Sequence, residues 1–198
     1  YIPAILMYYE VIFLQKHFFI AIPLENDDKQ FLQGKTENLK KELQFDRWTH
    51  KEDLHITLAF LGASDKERLK DCLNDVETSV RHYGAFSLPL SNFGTFGKKE
   101  SPRIFWCAPK AEEKLMALQK EVAEKCRKHG YELDQRPYKP HITMARKYSG
   151  ESVFSSITID RANQLLEKPH FLTVNRIVLF ETKLDEVPKY HELWSIYL

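Results

Sequence analysis

Several things are scarce in this chain, and each scarcity narrows what it can be. Among 198 residues there are three cysteines, Cys72, Cys107 and Cys126, with no C-x-x-C spacing. They read as thiols without chemistry, and an odd count suits a reducing compartment, here the cytoplasm. Neither sign of charge is in excess: 29 Lys and Arg face 28 Asp and Glu, a formal net charge of +1. Nothing global therefore gathers a polyanion, and any nucleic-acid contact must rest on a local patch. The seven glycines and nine prolines never gather into a linker or a low-complexity tract. One domain over 17–198, of two similar lobes, is the expected organisation. The run Ile2 to Leu14 is apolar except for Glu10. It is too short for a membrane span and lacks the basic start and small-residue cleavage site of a signal peptide. Residues 1–16 are set aside as an N-terminal extension whose origin the sequence does not fix; a native extra strand is the competing reading.

What remains is an ordinary globular composition, 43% hydrophobic and 29% charged. His17 to Leu24 (HFFIAIPL) predicts a strand. Asn26-Asp27-Asp28 predicts a helix N-cap cluster, with an amphipathic helix over 27–44. Residues 45–53 read as a polar connection holding Arg47, Trp48 and His50. Ser64-x-x-Glu67 has the form of a capping box and opens a helix to about 82. A strand over 86–93, a glycine-bearing loop over 92–97 and a strand over 103–108 follow. A charged helix over 110–129 ends at Gly130. Residues 152–167 fit either strand or helix. Two late strands are expected over 171–182 and 190–198. Several strands are joined by loops too short for a parallel crossover, so the fold class is α+β: two lobes of mainly antiparallel sheet, with outer helices around a central cleft.

Two stretches stand apart from this background. Leu54-His55-Ile56-Thr57-Leu58-Ala59-Phe60-Leu61-Gly62 and Lys139-Pro140-His141-Ile142-Thr143-Met144-Ala145-Arg146 each carry His-Ile-Thr, an apolar residue and Ala. Both read as strands, so each His shares a face with its Thr. One His-x-Thr is weak, because a lone strand histidine is more often a hydrogen-bonded structural one. Two matching copies are a poor accident. No His, Asp or Glu stands two to four residues beyond either histidine, which disfavours a metal site. A nucleophilic Thr two residues from its own His is unusual. General acid–base chemistry fits best: one imidazole accepts a proton while the other donates, and each Thr hydroxyl bonds a phosphate oxygen.

LHITLAFLG and KPHITMAR resemble the paired motifs of the 2H phosphoesterase superfamily. They are closest to its RNA 2′,3′-cyclic phosphodiesterase family, once named 2′-5′ RNA ligase. The resemblance extends over about 17–198 through FFIAIPL, RW, GTFG, PRIFWCA and VLFETKL…YHELWSIYL. It implies a bilobal fold with the motifs facing each other. It also implies opening of a 2′,3′-cyclic phosphate at an RNA 3′ end to a 2′-phosphate, without metal or other cofactor, with 2′-5′ ligation as reverse chemistry. His55 and His141 carry over as catalytic, assigned as proton donor and proton acceptor, although a symmetric cleft permits the reverse. Thr57, Thr143 and Arg146 carry over as phosphate-binding. Arg146 has the wrong parity for the face of His141 in an ideal strand, so either the strand bulges or ends near Ala145, or the side chain wraps round.

Around the second motif, Arg136, Lys139, Arg146 and Lys147 form a basic set read as a phosphate track or as a solvated face. Trp48 and Tyr138, more than Phe19 or Phe96, are candidates for RNA contact by stacking. The partner is expected to be RNA with a cyclic-phosphate end, met by a monomer with no membrane association. A phosphodiesterase of small cyclic nucleotides and a non-catalytic nucleotide- or RNA-binding module are the alternatives. Substrate length discriminates the first, and binding without turnover the second.

Overall fold

The computed structural model describes residues 16–166 and 168–198; the extension over 1–16 lies outside them except for Lys16. Among the described residues, nine strands form one antiparallel sheet, accompanied by four α-helices. The strands are β1 (His17–Pro23), β2 (Phe45–Trp48), β3 (His55–Ala63), β4 (Phe86–Lys98), β5 (Ser101–Pro109), β6 (Ile142–Tyr148), β7 (Phe171–Val174), β8 (Arg176–Thr182) and β9 (Tyr190–Tyr197). The helices are α1 (Asn26–Glu42), α2 (Lys66–Val80), α3 (Glu113–Lys128) and α4 (Ser156–Gln164). The strand order is β7-β4-β5-β6-β3-β1-β8-β9, with β2 paired to β6 as well. The two motif strands, β3 and β6, are neighbours at the middle, joined through Ile56 opposite Ile142. Each half of the sheet thus contributes one motif.

The apolar patterning explains the layers. One core cluster runs through both halves, including Ile20, Ile22, Ile56, Leu73, Phe93, Phe105, Leu118, Ile142 and Ile177. A second, smaller cluster, Phe19, Ala21, Val178 and Phe180 with Tyr190 against it, is separate from the first. In β1 these residues alternate with Ile20 and Ile22, so the two clusters occupy opposite faces of the sheet. β1 lies between β3 and β8 and is apolar on both faces, with six of its seven residues buried. Helices α2 and α3 pack together through Cys72 and Cys126, whose sulfurs lie 3.8 Å apart. Gln119 of α3 donates to the Leu58 carbonyl at 3.1 Å and ties the helix pair to β3.

Several local expectations are corrected. The cap of α2 is Asp65, which accepts the Arg68 N–H at 2.9 Å, while Ser64 instead meets the Tyr131 hydroxyl at 2.6 Å. Glu25 sits at the N-cap of α1 with no side-chain cap bond. Asp28 is drawn inward, where His170 donates to it at 2.8 Å. The glycine-bearing loop over 92–97 is part of one long strand, β4. Gly94 is needed there because the Trp106 indole lies across it, 2.4 Å from where a Cβ would stand. Residues 156–164 resolve as helix, and 171–182 splits into β7 and β8 at Asn175. The connection over 45–53 hides strand β2, which four residues with two charges did not announce.

Candidate active site

The two His-x-Thr motifs come together where β3 meets β6. Ile56 and Ile142 are fully buried on the core face, so the residues flanking them point to the other face. The antiparallel register sets His55 beside Thr143 and Thr57 beside His141. Each imidazole therefore has one Thr two residues along its own strand and another across the strand pair. All four side chains are half-buried, sheltered but open to a ligand.

The backbone orients both rings in the same way. His55 Nδ1 lies 2.7 Å from the carbonyl of Asp53, and His141 Nδ1 lies 2.8 Å from the carbonyl of Lys139. A carbonyl only accepts, so each Nδ1 carries a hydrogen. The neutral rings then turn an unprotonated Nε2 toward the site. Thr57 donates to Nε2 of His55 at 3.1 Å.

The surroundings are unequal. His55 is boxed by aromatics: Phe19 at 4.8 Å, Tyr190 at 5.1 Å and Phe180 at 5.9 Å between ring centroids. This desolvation lowers its pKa to about 4; the Asp53 carbonyl opposes the shift, while His141, Arg146 and Lys189 reinforce it. His141 meets the edge of Phe96 at 5.0 Å. Its pKa is lowered too, by desolvation and by Arg146. Asp53 is the joint between this site and the C-terminal hairpin. Its carbonyl holds His55, and its buried carboxylate accepts the Lys189 and Tyr190 N–H groups, each at 3.0 Å.

The parity problem of Arg146 resolves as a bulge. Phe105 pairs with Ala145 but Trp106 pairs with Thr143, so Met144 is the extra residue. Met144 and Ala145 are both buried, and Arg146 returns to the face of Thr143. Its field acts on both histidines. The first motif bulges at the same place: Ile20 pairs with Ala59 and Ala21 with Thr57, leaving Leu58 extra, and both Leu58 and Ala59 are buried. The repeated Ala thus marks a repeated bulge. In the first motif the position matching Arg146 is Phe60, which is 57% exposed. Phe60 pairs with Phe19 and so shares the face of the His55 box. Sequence reasoning missed Phe60 for want of that bulge; the five-residue offset shared with Arg146 was the available signal.

The other expected contacts scatter. Tyr138 packs on the core, and its hydroxyl donates to the Thr57 carbonyl at 3.0 Å, which steadies the first motif. Trp48 packs edge-on to Phe45 and Phe105. Arg136 is strongly exposed and bound to the Asp134 carboxylate, and Lys147 is bound to Asp46 at 2.7 Å. Two of the four cations of the basic flank are therefore neutralised locally. Lys139 is exposed and supplies the carbonyl for His141. Among the described residues, no group of three or more His, Cys, Asp and Glu is arranged to hold a metal ion, and no helix is long and apolar enough to cross a membrane.

The chain is similar to proteins named RNA 2′,3′-cyclic phosphodiesterase. It is 37% identical over 179 residues to that of Geobacillus stearothermophilus, covering 90% of this chain but only 56% of that protein's length. It is 28% identical to that of Bacillus subtilis, covering 93% and 98%. With that of Thermotoga maritima it is 32% identical, covering 65% and 68%. In fold it resembles E. coli LigT crystallised with 3′-AMP, with a TM-score of 0.73 at 21% identity, covering 93% of this chain and 98% of that one. TT0787 of Thermus thermophilus gives a TM-score of 0.69 at 22% identity, covering 92% and 97%. The family model of the 2′-5′ RNA ligase superfamily matches residues 29–186, and with both motifs in place the chain belongs to that superfamily.

Proposed function

We propose that this protein opens 2′,3′-cyclic phosphates at RNA 3′ ends to 2′-phosphates by two-histidine acid–base catalysis. The observation that carries the reading is the pair of Nε2-presenting imidazoles on adjacent antiparallel strands, each with a Thr hydroxyl beside it. The names of its relatives support the same reading.

His141, less enclosed by aromatics, accepts a proton from water at Nε2 as the water oxygen attacks phosphorus. The bond from phosphorus to O3′ breaks. His55, in its drier box, delivers the proton that O3′ needs. The product carries a 2′-phosphate and a 3′-hydroxyl, and the proton left on His141 returns to His55 through solvent. Thr57, Thr143 and Arg146 hold the non-bridging oxygens, where charge gathers in the transition state. His55 is neutral in the free protein at pH 7, so its donor role requires the arriving phosphate anion to favour the protonated ring. Phe60, exposed on the same face, gives the terminal base a stacking surface.

The test is incubation with an oligoribonucleotide ending in a 2′,3′-cyclic phosphate, in chelator, with the product end identified. A 2′-phosphate product is expected. His55→Ala and His141→Ala should each lower turnover by about 10²–10⁴-fold while melting normally. A 3′-phosphate product, or near-wild-type rates in either variant, would sink the scheme.

A further inference from the structure

Strand β2, hidden in a stretch that looks like a polar connection, brings a second arginine to the site. Arg47 pairs directly with Arg146 across the β2–β6 ladder. Side chains directly opposite share a face, so Arg47 stands on the catalytic face beside a residue that already acts on both histidines. Two like charges about 5 Å apart at the backbone repel each other and destabilise a strand pair. Among the described residues neither guanidinium enters an ion pair. Arg47 is exposed.

Arg47 also borders a groove. The free edge of β2, helix α1 and the loop before β9 enclose about 690 Å³, lined in part by Lys40, Arg47, Lys51 and Lys189. The acids in its wall are committed elsewhere. Asp46 holds Lys147, Glu186 holds Lys183 and His191, and the Asp53 carboxylate is bonded to backbone N–H groups. Lys40 is likewise held by Glu37 at 3.6 Å, so Arg47, Lys51 and Lys189 are the cations of this wall that enter no ion pair among the described residues. Two residues of its wall bear on His55: Asp53, whose carbonyl orients the ring, and Lys189, whose charge acts on it.

We infer that Arg47 forms a second phosphate subsite, which takes the phosphodiester immediately 5′ of the terminal nucleotide, and that the upstream strand leaves through the groove along β2. Arg146 holds the reacting phosphate and Arg47 the next one. This rests on the proposed cyclic phosphodiesterase reading and adds to it a preference for an oligonucleotide over a mononucleotide. The strand's path is set by the strand β2 cation, with the Arg136 side of the second motif already bound to its own carboxylate.

The test compares a dinucleotide and a mononucleotide, each ending in a 2′,3′-cyclic phosphate. In the wild type, kcat/KM should favour the dinucleotide by about tenfold or more, the size of one charge-assisted contact of about 1.4 kcal/mol. Arg47→Ala should collapse that ratio toward one, and Arg47→Lys should recover part of it. Arg146→Ala should lower both rates and keep the ratio. Calorimetric binding of the matching 2′-phosphate products gives the same comparison without turnover. Wild type and Arg47→Ala with the same dinucleotide-to-mononucleotide ratio, in rates or in affinities, would overturn the subsite. Failure of the wild type to open either substrate would instead defeat the cyclic phosphodiesterase reading, and the binding ratio would still decide whether Arg47 meets a second phosphate.

Discussion

His55 and His141 share a residue type, a motif and a backbone tether, yet they titrate differently because their walls differ. Three aromatic rings around His55 remove water from the charged form, whereas one borders His141. In the free protein His55 titrates near 4 and His141 below its ordinary 6.5. The kcat/KM profile should therefore be a bell whose alkaline limb lies below pH 6.5, because that quantity reports free-enzyme values. The limbs belong to the pair, not to either ring alone. An alkaline limb at pH 7 or above would contradict the desolvated site. Stability follows the same sign. The unfolded His55 takes up its proton near 6.5 and the native one only near 4. The contribution of its neutral ring is thus whole above pH 6.5 and is lost as pH falls toward 4. Thermal melts should show a decline over that window, smaller in Tyr190→Ala, which wets the ring.

Single strands place these residues, and their irregularities matter more than their regular parts. The bulges at Leu58 and Met144 swing Phe60 and Arg146 onto the catalytic face. Lys147, just beyond Arg146, adopts φ 62°, the left-handed region that β6 uses to turn away after the site. Strand β4 supports the wall beside Thr143 by leaving Gly94 bare under the Trp106 indole. Gly94→Ala forces that ring to move and should destabilise the protein by about 1–3 kcal/mol, the range for overpacking. Denaturant unfolding would measure this, and a change under about 0.5 kcal/mol would show that the ring yields freely. Much of this scale was legible: β1, β3, β5, β6 and helices α1 to α3 follow their periodicities. Strand β2 was not, since Phe45-Asp46-Arg47-Trp48 gains its strand character from pairing with β6. The cap of α2 was misplaced by one residue because Ser64 and Asp65 are both good caps, and contact with Tyr131 took the first.

At the scale of the whole molecule, Asp53 links distant pieces of chain. It lies just before the first motif and binds the start of β9, over a hundred residues later. Asp53→Ala would leave two half-buried N–H groups without this partner, each worth less than the about 1–3 kcal/mol of a fully buried one. It should destabilise the fold by about 1–3 kcal/mol and loosen Tyr190 from His55. A melting temperature within a degree of wild type would refute that joint. The chain alone determined the fold class, the two motif strands and the four His and Thr residues, because each rests on local period and on an exact repeat. Tertiary structure alone decided which strands are neighbours, and through that pairing it set His55 beside Thr143 and Arg47 beside Arg146. It also decided the inequality of the two histidines. Pairing register and desolvation are properties of chain segments far apart in sequence, and no local pattern encodes them.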